Sequence, residues 1–348
     1  MPKEKREKST VLYRTHRPLT FADVRGQDHI VKVLEASIKN KSHAHAYLFV
    51  GTRGTGKTSV ARILARELGV TDKDLYEIDA ASHTGVDNIR DLREAVNVLP
   101  FESPYKFYII DEAHMLSKAA WNALLKTIEE PPPHAMFVLA TTERDKVPDT
   151  IQSRCQIYTF KQPTREMLAT VLADVAKKEG FTLEKSAAEL IALLAEGSFR
   201  DALSILQKVL SVSSDKKVDI AEVETVSGAP RGELIRTLMR ALAEKNSGDA
   251  LKAIEEAVAS NLDMRTLTRL LIHRMRVVLL MRYAPDIAEH IATELTESDV
   301  ALAKEIVKNP GVTSETLRAL LRAYGDMAYA AVPHVPLELA VIELAYHE

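Results

Sequence analysis

One segment limits the fold of this chain more than any other. The short apolar run Ala46-Tyr47-Leu48-Phe49-Val50 passes directly into Gly51-Thr52-Arg53-Gly54-Thr55-Gly56-Lys57-Thr58-Ser59, and the helical pattern SVARILARELG follows. A G-x-x-x-x-G-K-[ST] loop between a strand and a helix is a phosphate cradle. Its glycines let the backbone fold around an anion, and the amides and the helix N-terminus face that anion. Lys57 neutralises the β and γ oxygens, and the Thr58 hydroxyl can ligate magnesium. A chance glycine-rich turn would not come with strand, loop and helix in this order.

A second strand pattern, FYII, ends in Asp111-Glu112-Ala113-His114. A carboxylate at a strand tip beside such a loop can hold magnesium, directly or through water, and the next carboxylate can orient and deprotonate an attacking water. Asp111 and Glu112 take these two parts, which together imply hydrolysis. His114 reads as a packing or hydrogen-bonding residue outside the chemistry. A third pattern, AMFVLATT, ends in Thr141 and Thr142, hydroxyls able to sense the γ-phosphate or the water, although threonine is also ordinary at a strand end. Arg154, in Ser153-Arg154-Cys155, has no obvious partner in sequence. It reads either as a surface arginine or as a cation supplied to a neighbouring subunit's nucleotide. Arg200, in GSFRDALS, reads either as a cation reaching the γ-phosphate or as a first-turn arginine paired with Asp201 or Glu196.

AYLFV, LYEIDA, KFYIID, AMFVLATT and QIYTF alternate with helical patterns, which predicts a five-stranded parallel sheet with flanking helices. Trp121, Leu124, Leu125 and Ile128 share one helix face before the EEPPP stop. After Pro163 strand patterns vanish, so residues 164–228 are expected to form a small helical domain. Residues 229–348 are expected to form an all-helical one, broken at Gly248, Pro285, Pro310 and Pro333, and residues 1–12 a disordered tail. A chain of 348 residues is too long for one core. Its 46 Lys and Arg against 49 Asp and Glu leave a net charge of −3, so no global basic field draws nucleic acid. The single cysteine, Cys155, excludes an internal disulfide and a Cys-built zinc site, and with no secretory signal it points to the cytoplasm. The arginines of the stretch 264–282 break any membrane span and are expected to form a solvated basic helix face.

YRTHRPLTFADVRGQDHI, HAYLFVGTRGTGKTS, EIDAAS, YIIDEAHMLS, NALLKTIEEPP, FVLATT, IQSRC and GSFRDALS occur in the order and spacing that resemble the bacterial DNA polymerase III gamma/tau subunits. That family comprises AAA+ ATPase motors of the replicative sliding-clamp loader. The resemblance is dense from Tyr13 to Leu206 and thinner beyond, where PLEL near the end is similar to the family's collar. It implies an AAA+ domain over 13–163, a lid over 164–228 and a collar for oligomerisation over 229–348. It further implies that residues 51–59 bind ATP, that Thr58 and Asp111 hold Mg2+, and that Glu112 serves hydrolysis. Thr142 is then the first sensor, Arg154 the finger in trans and Arg200 the second sensor. Tyr13, Arg14, Pro18 and Val24 are similar to the segment that wraps the adenine. Implied partners are the delta and delta-prime types of clamp-loader subunit, the sliding clamp, primed DNA and other copies of the chain.

Two departures stand out. The family's four-cysteine zinc module is replaced by GVTDKD, so zinc is not expected. The loop Ser82-His83-Thr84-Gly85, basic and DNA-facing in the family, is weakened by His83 and Gly85, leaving Lys126 and helix N-termini as candidate phosphate contacts. The chain stops just after the collar-like region, which suggests the family's short form or a shortened version of a longer protein. Competing expectations are a non-hydrolysing scaffold subunit, a small replication factor C subunit, or another AAA+ DNA remodeller such as a Holliday-junction motor. The intact loop and Asp111-Glu112 argue against the first, and ATT with EEPP against the others. No polymerase or nuclease carboxylate set is visible.

Overall fold

The computed structural model describes residues 11–82, 92, 94–292 and 295–346. Residues 1–10 of the tail, and His83, Thr84 and Gly85 of the candidate DNA loop, lie outside the described residues. The chain forms two compact units, one built from residues up to Leu168 together with Ala195–Ser204, the other from Ala169–Leu194 and from Ile205 onward.

The first unit is organised by a parallel sheet of β1 (Ala46–Val50), β2 (Leu75–Asp79), β3 (Lys106–Asp111), β4 (Ala135–Thr141) and β5 (Gln156–Thr159) in the order β2-β3-β4-β1-β5. The inner strands are apolar throughout because helices cover both faces of the sheet. Successive side chains alternate between two cores. Leu48, Tyr108, Ile110, Phe137 and Leu139 pack with Trp121, Leu124 and Ile128 of the helix Lys118–Glu129. Tyr47, Phe49, Ile109 and Val138 pack with Val60, Ile63 and Leu64 of the helix Lys57–Glu67, and with Ile30 and Leu34. Val50 pairs in register with Thr141 and Asp79 with Asp111, so the loops leaving β1, β3 and β4 emerge at one edge. The helix Lys118–Glu129 starts where the Ser117 hydroxyl accepts the Ala120 amide at 3.2 Å and stops before the proline run.

The second unit corrects three expectations. Strands do not vanish after Pro163: β6 (Thr182–Leu183) and β7 (Lys217–Val218) form a short parallel pair. Two residues per strand are too few for a period to register in sequence. Gly248 does not break a helix but lies in the first turn of Ser247–Ala259, where the Asn246 side chain caps the Asp249 amide at 3.1 Å. The basic stretch is a helix, Met264–Tyr283, but its arginines do not form one solvated face. Arg274, 7% exposed, shares the buried carboxylate of Asp299 with Arg236. Arg282 donates to the carbonyls of Val307 at 2.7 Å and Asn309 at 2.5 Å, closing the end of a neighbouring helix.

Candidate active site

The loop after β1 bends through Gly54 and Gly56, both at positive φ (76° and 100°), and opens the helix at Lys57. Gly54 is packed as well as bent: a Cβ there would lie 2.0 Å from the Ser198 hydroxyl, and the Phe199 amide donates to the Gly54 carbonyl at 3.0 Å. Thr55 is buried, and its hydroxyl donates to the Thr52 carbonyl at 2.9 Å. Thr52 and Arg53 are exposed, whereas Gly51 and Ser59 are half-buried. The Lys57 ammonium donates to the carbonyls of Gly51 at 2.7 Å and Thr52 at 3.0 Å. Burial lowers the pKa of Lys57, the carboxylates of Glu112 and Asp111 act against that, and Arg200 adds to the lowering.

At the tip of β3, Asp111 meets the loop. The Thr58 hydroxyl donates to Asp111 Oδ2 at 2.8 Å, and the Glu112 amide donates to Asp111 Oδ1 at 3.0 Å. Glu112 has left-handed backbone, φ 49° and ψ 42°, and its Oε2 is buried with no hydrogen-bond partner. These residues fit a hydrated magnesium ion: two oxygen donors stand together at the cradle, and one carboxylate oxygen is held ready for a water. Among the described residues no group of three or more His, Cys, Asp and Glu can hold a metal ion. A cation here takes its remaining ligands from phosphate and water, as magnesium does.

The β4 tip brings Thr141 to the same edge, fully buried, its hydroxyl 3.1 Å from His114 Nδ1. Thr142 follows the strand end and is half-buried. Around the N-terminal segment, the Tyr13 ring has the guanidinium of Arg14 at 5.9 Å and that of Arg200 at 5.6 Å. Arg200 therefore faces the Tyr13 ring. Pro18 and Val24 are half-buried, and Val24 packs on the core containing Val60. Arg154 is not partnerless: its guanidinium pairs with Glu129 at 2.6 Å and donates to the Thr150 carbonyl at 2.7 Å. The helix that ends in EEPP delivers Glu129 to the SRC turn, a meeting that sequence distance hides. Lys126 is exposed.

Two residues escaped the sequence reading. Gln27, 1% exposed, donates to the Lys161 carbonyl at 2.7 Å and reaches the Thr55 carbonyl at 3.5 Å, tying the cradle to the exit of β5. Arg17 is half-buried, and its pKa is lowered by burial and by Arg62, Arg200 and Arg14, with Glu77 opposing. Its position in RTHRP carries no periodic signal.

The family described as DNA polymerase III, delta subunit, matches residues 26–79 and 70–164. The DNA polymerase III clamp loader subunit, ATPase lid domain, matches residues 167–215, and DNA polymerase III subunits gamma and tau domain III matches 218–348. DNA polymerase III subunit tau of Bacillus subtilis is 38% identical over 355 residues, covering 96% of this chain and 62% of that protein. The Escherichia coli subunit tau is 35% identical, covering 97% and 55%. The chain thus spans little more than half the length of these relatives. The RuvB Holliday junction branch migration motor of Thermotoga maritima aligns with a TM-score of 0.53 at 23% identity over 66% of this chain and 80% of that one, a likeness of fold alone. An AAA+ ATPase fold, a lid match and a gamma and tau match in one uninterrupted order leave a single assignment: the chain belongs to the gamma/tau family of DNA polymerase III clamp-loader subunits.

Proposed function

We propose that this chain binds ATP with Mg2+ and hydrolyses it, and that turnover drives a cytoplasmic clamp loader placing a ring clamp on primed DNA. The reading rests chiefly on the 2.8 Å bond between Thr58 and Asp111. It joins the cradle to the β3 tip one residue before a carboxylate whose Oε2 is buried and unpartnered. Magnesium, when bound, neutralises charge on the β and γ oxygens. The chain's own residues do the rest. Lys57 offsets phosphate charge, the cradle amides orient the phosphates, Thr58 and Asp111 supply oxygen ligands, and Glu112 accepts a proton from the attacking water. Tyr13, Arg14, Pro18 and Val24 would surround the base, and Thr142 and Arg200 would register the γ-phosphate.

Arg154 would act on a neighbouring subunit's nucleotide, where finger arginines contribute a factor of ~10³ or more. Its pairing with Glu129 holds the guanidinium at the SRC turn until a partner competes for it. In this reading residues 13–163, 164–228 and 229–348 serve as ATPase, lid and collar. Other clamp-loader subunits, of delta and delta-prime types, complete the assembly.

Equilibrium binding of labelled ATP beside a phosphate-release assay tests the reading. Lys57→Ala is expected to abolish binding. Glu112→Gln is expected to keep it while turnover falls ~100-fold or more, the usual contribution of a general base. Equal loss of binding in both variants, or wild-type turnover in Glu112→Gln, would refute the assignment.

A further inference from the structure

We propose that His114 is a positioning residue that fixes the Glu112 carboxylate for proton transfer; this rests on the ATP-hydrolysing reading above. Left-handed backbone at a residue other than glycine is strained and persists only where its surroundings over-determine it. At Glu112 the surroundings are a tight turn, Ala113–Met115, closed by the Met115 amide on the Glu112 carbonyl at 2.8 Å. That turn carries the His114 ring back beneath Glu112.

The ring touches three residues of the strand tips. Nδ1 lies 3.1 Å from the Thr141 hydroxyl and 3.5 Å from Glu112 Oε2, and Nε2 lies 3.3 Å from Glu143 Oε1. The Thr141 hydroxyl has one proton and spends it on the Glu143 carbonyl at 3.2 Å, while accepting the Glu143 amide at 3.0 Å. Towards His114 it therefore accepts, and Nδ1 is the donor. That same N–H faces Glu112 Oε2 from a distance too long to capture it. The carboxylate is restrained, yet its lone pair stays available to a water.

Elsewhere in this unit a histidine nitrogen meets one side-chain hydroxyl, as His43 does at Tyr105 at 3.0 Å, or a backbone carbonyl. His45 meets that of Ile128 at 3.1 Å and His134 that of Val96 at 2.9 Å. His114, with 8% of its side chain exposed, instead turns both nitrogens to side chains around the proposed general base. Leaving a buried carboxylate oxygen without a partner costs stability. A structural role for His114 would have removed that cost by closing the 3.5 Å gap.

The test uses the full chain and reads ATP affinity and kcat separately. His114→Ala is expected to lower kcat about tenfold or more with ATP affinity within about twofold, since only the orientation of the base changes. His114→Asn, which can return an amide N–H to the Nδ1 position, is expected to recover most of the loss. In the Glu112→Gln background, His114→Ala should cause no further fall. Glu143→Ala, on a side chain 48% exposed, removes the group facing Nε2 without emptying the core and should lower kcat a few-fold, so the question stays answerable if His114→Ala unfolds.

Unchanged kcat in His114→Ala or Glu143→Ala, equal loss in the alanine and asparagine variants at 114, or matched losses of affinity and kcat would each overturn the proposal. Wild-type turnover that Lys57→Ala abolishes secures the underlying reading independently. Without it that reading fails, and the role of His114 falls with it.

Discussion

Adding one methyl group at Gly54 separates backbone strain from packing in the phosphate cradle. The residue sits at φ +76°, and a Cβ would meet Ser198 Oγ at 2.0 Å, Ser198 Cβ at 2.8 Å and Ser198 Cα at 3.2 Å. Left-handed backbone costs an alanine roughly 1–2 kcal/mol, and forcing a methyl into a filled space costs roughly 1–3 kcal/mol more. Gly54→Ala is therefore expected to destabilise the nucleotide-free protein by about 2–5 kcal/mol in denaturant titration. Gly56 is the control. It has φ +100° with nothing within 4 Å of its would-be Cβ, so Gly56→Ala should show only the strain, about 1–2 kcal/mol.

Ser198→Gly removes the two shortest contacts at Gly54. By itself it loses the hydroxyl that accepts the Asp201 amide at 3.2 Å, a cap worth a few tenths of a kcal/mol when glycine replaces serine. In the Gly54→Ala background it should return about 1–3 kcal/mol, bringing the double variant close to Gly56→Ala. A coupling energy near zero would refute the packing account. So would a loss in Gly56→Ala as large as that in Gly54→Ala.

Two further outcomes concern stability. Burial raises the pKa of Asp74, but the amides of Glu102 and Phe101 and the hydroxyl and amide of Ser103 outweigh it and hold the value at about 2 against an ordinary 3.8. Because the folded value is depressed, the stabilisation is fully present above about pH 4 and is lost as pH falls towards 2; Asp74→Asn should lower stability at neutral pH and lose the Asp74 share of this acid dependence, measured by denaturant titration across pH. Asp299, 1% exposed between Arg236 and Arg274, should cost about 3–5 kcal/mol as Asp299→Asn because the buried Arg274 then lacks its carboxylate and Arg236 keeps only Glu233. Calorimetry reads that loss, and a melting temperature equal to wild type would contradict it.

What could be read from sequence was local and periodic. A strand, a glycine-rich turn and a helix lie within about twenty residues, so the cradle, the Asp111-Glu112 tip and the five strands of the sheet were all predictable from spacing. The EEPP helix followed for the same reason, its buried Trp121, Leu124 and Ile128 falling on one turn-by-turn face. The short pair β6 and β7 was not legible, because two residues per strand have no period. Nor was the burial of Arg274: five arginines between 264 and 282 read as a wet face, and only a distant Asp299 makes this one buried.

The same limit explains the tip residues. Gln27 and Lys161 meet across 134 residues, and Arg154 meets Glu129 only because a helix end and a turn converge. Such polar ties obey no spacing rule, since each needs just one donor and one acceptor delivered by separate elements. His114 shows how far this reaches. Its position after Asp111-Glu112 is evident, yet a histidine in a short turn can face solvent, a carbonyl or a carboxylate with equal ease. The choice is made by the left-handed backbone of Glu112, which turns the ring beneath the carboxylate, and by β4, which sets Thr141 and Glu143 on its other edges. In the proposed reading the Glu112 carboxylate is thus located by its own strand and oriented by the neighbouring one. Its support can be recognised only once the strand order β3-β4 is known.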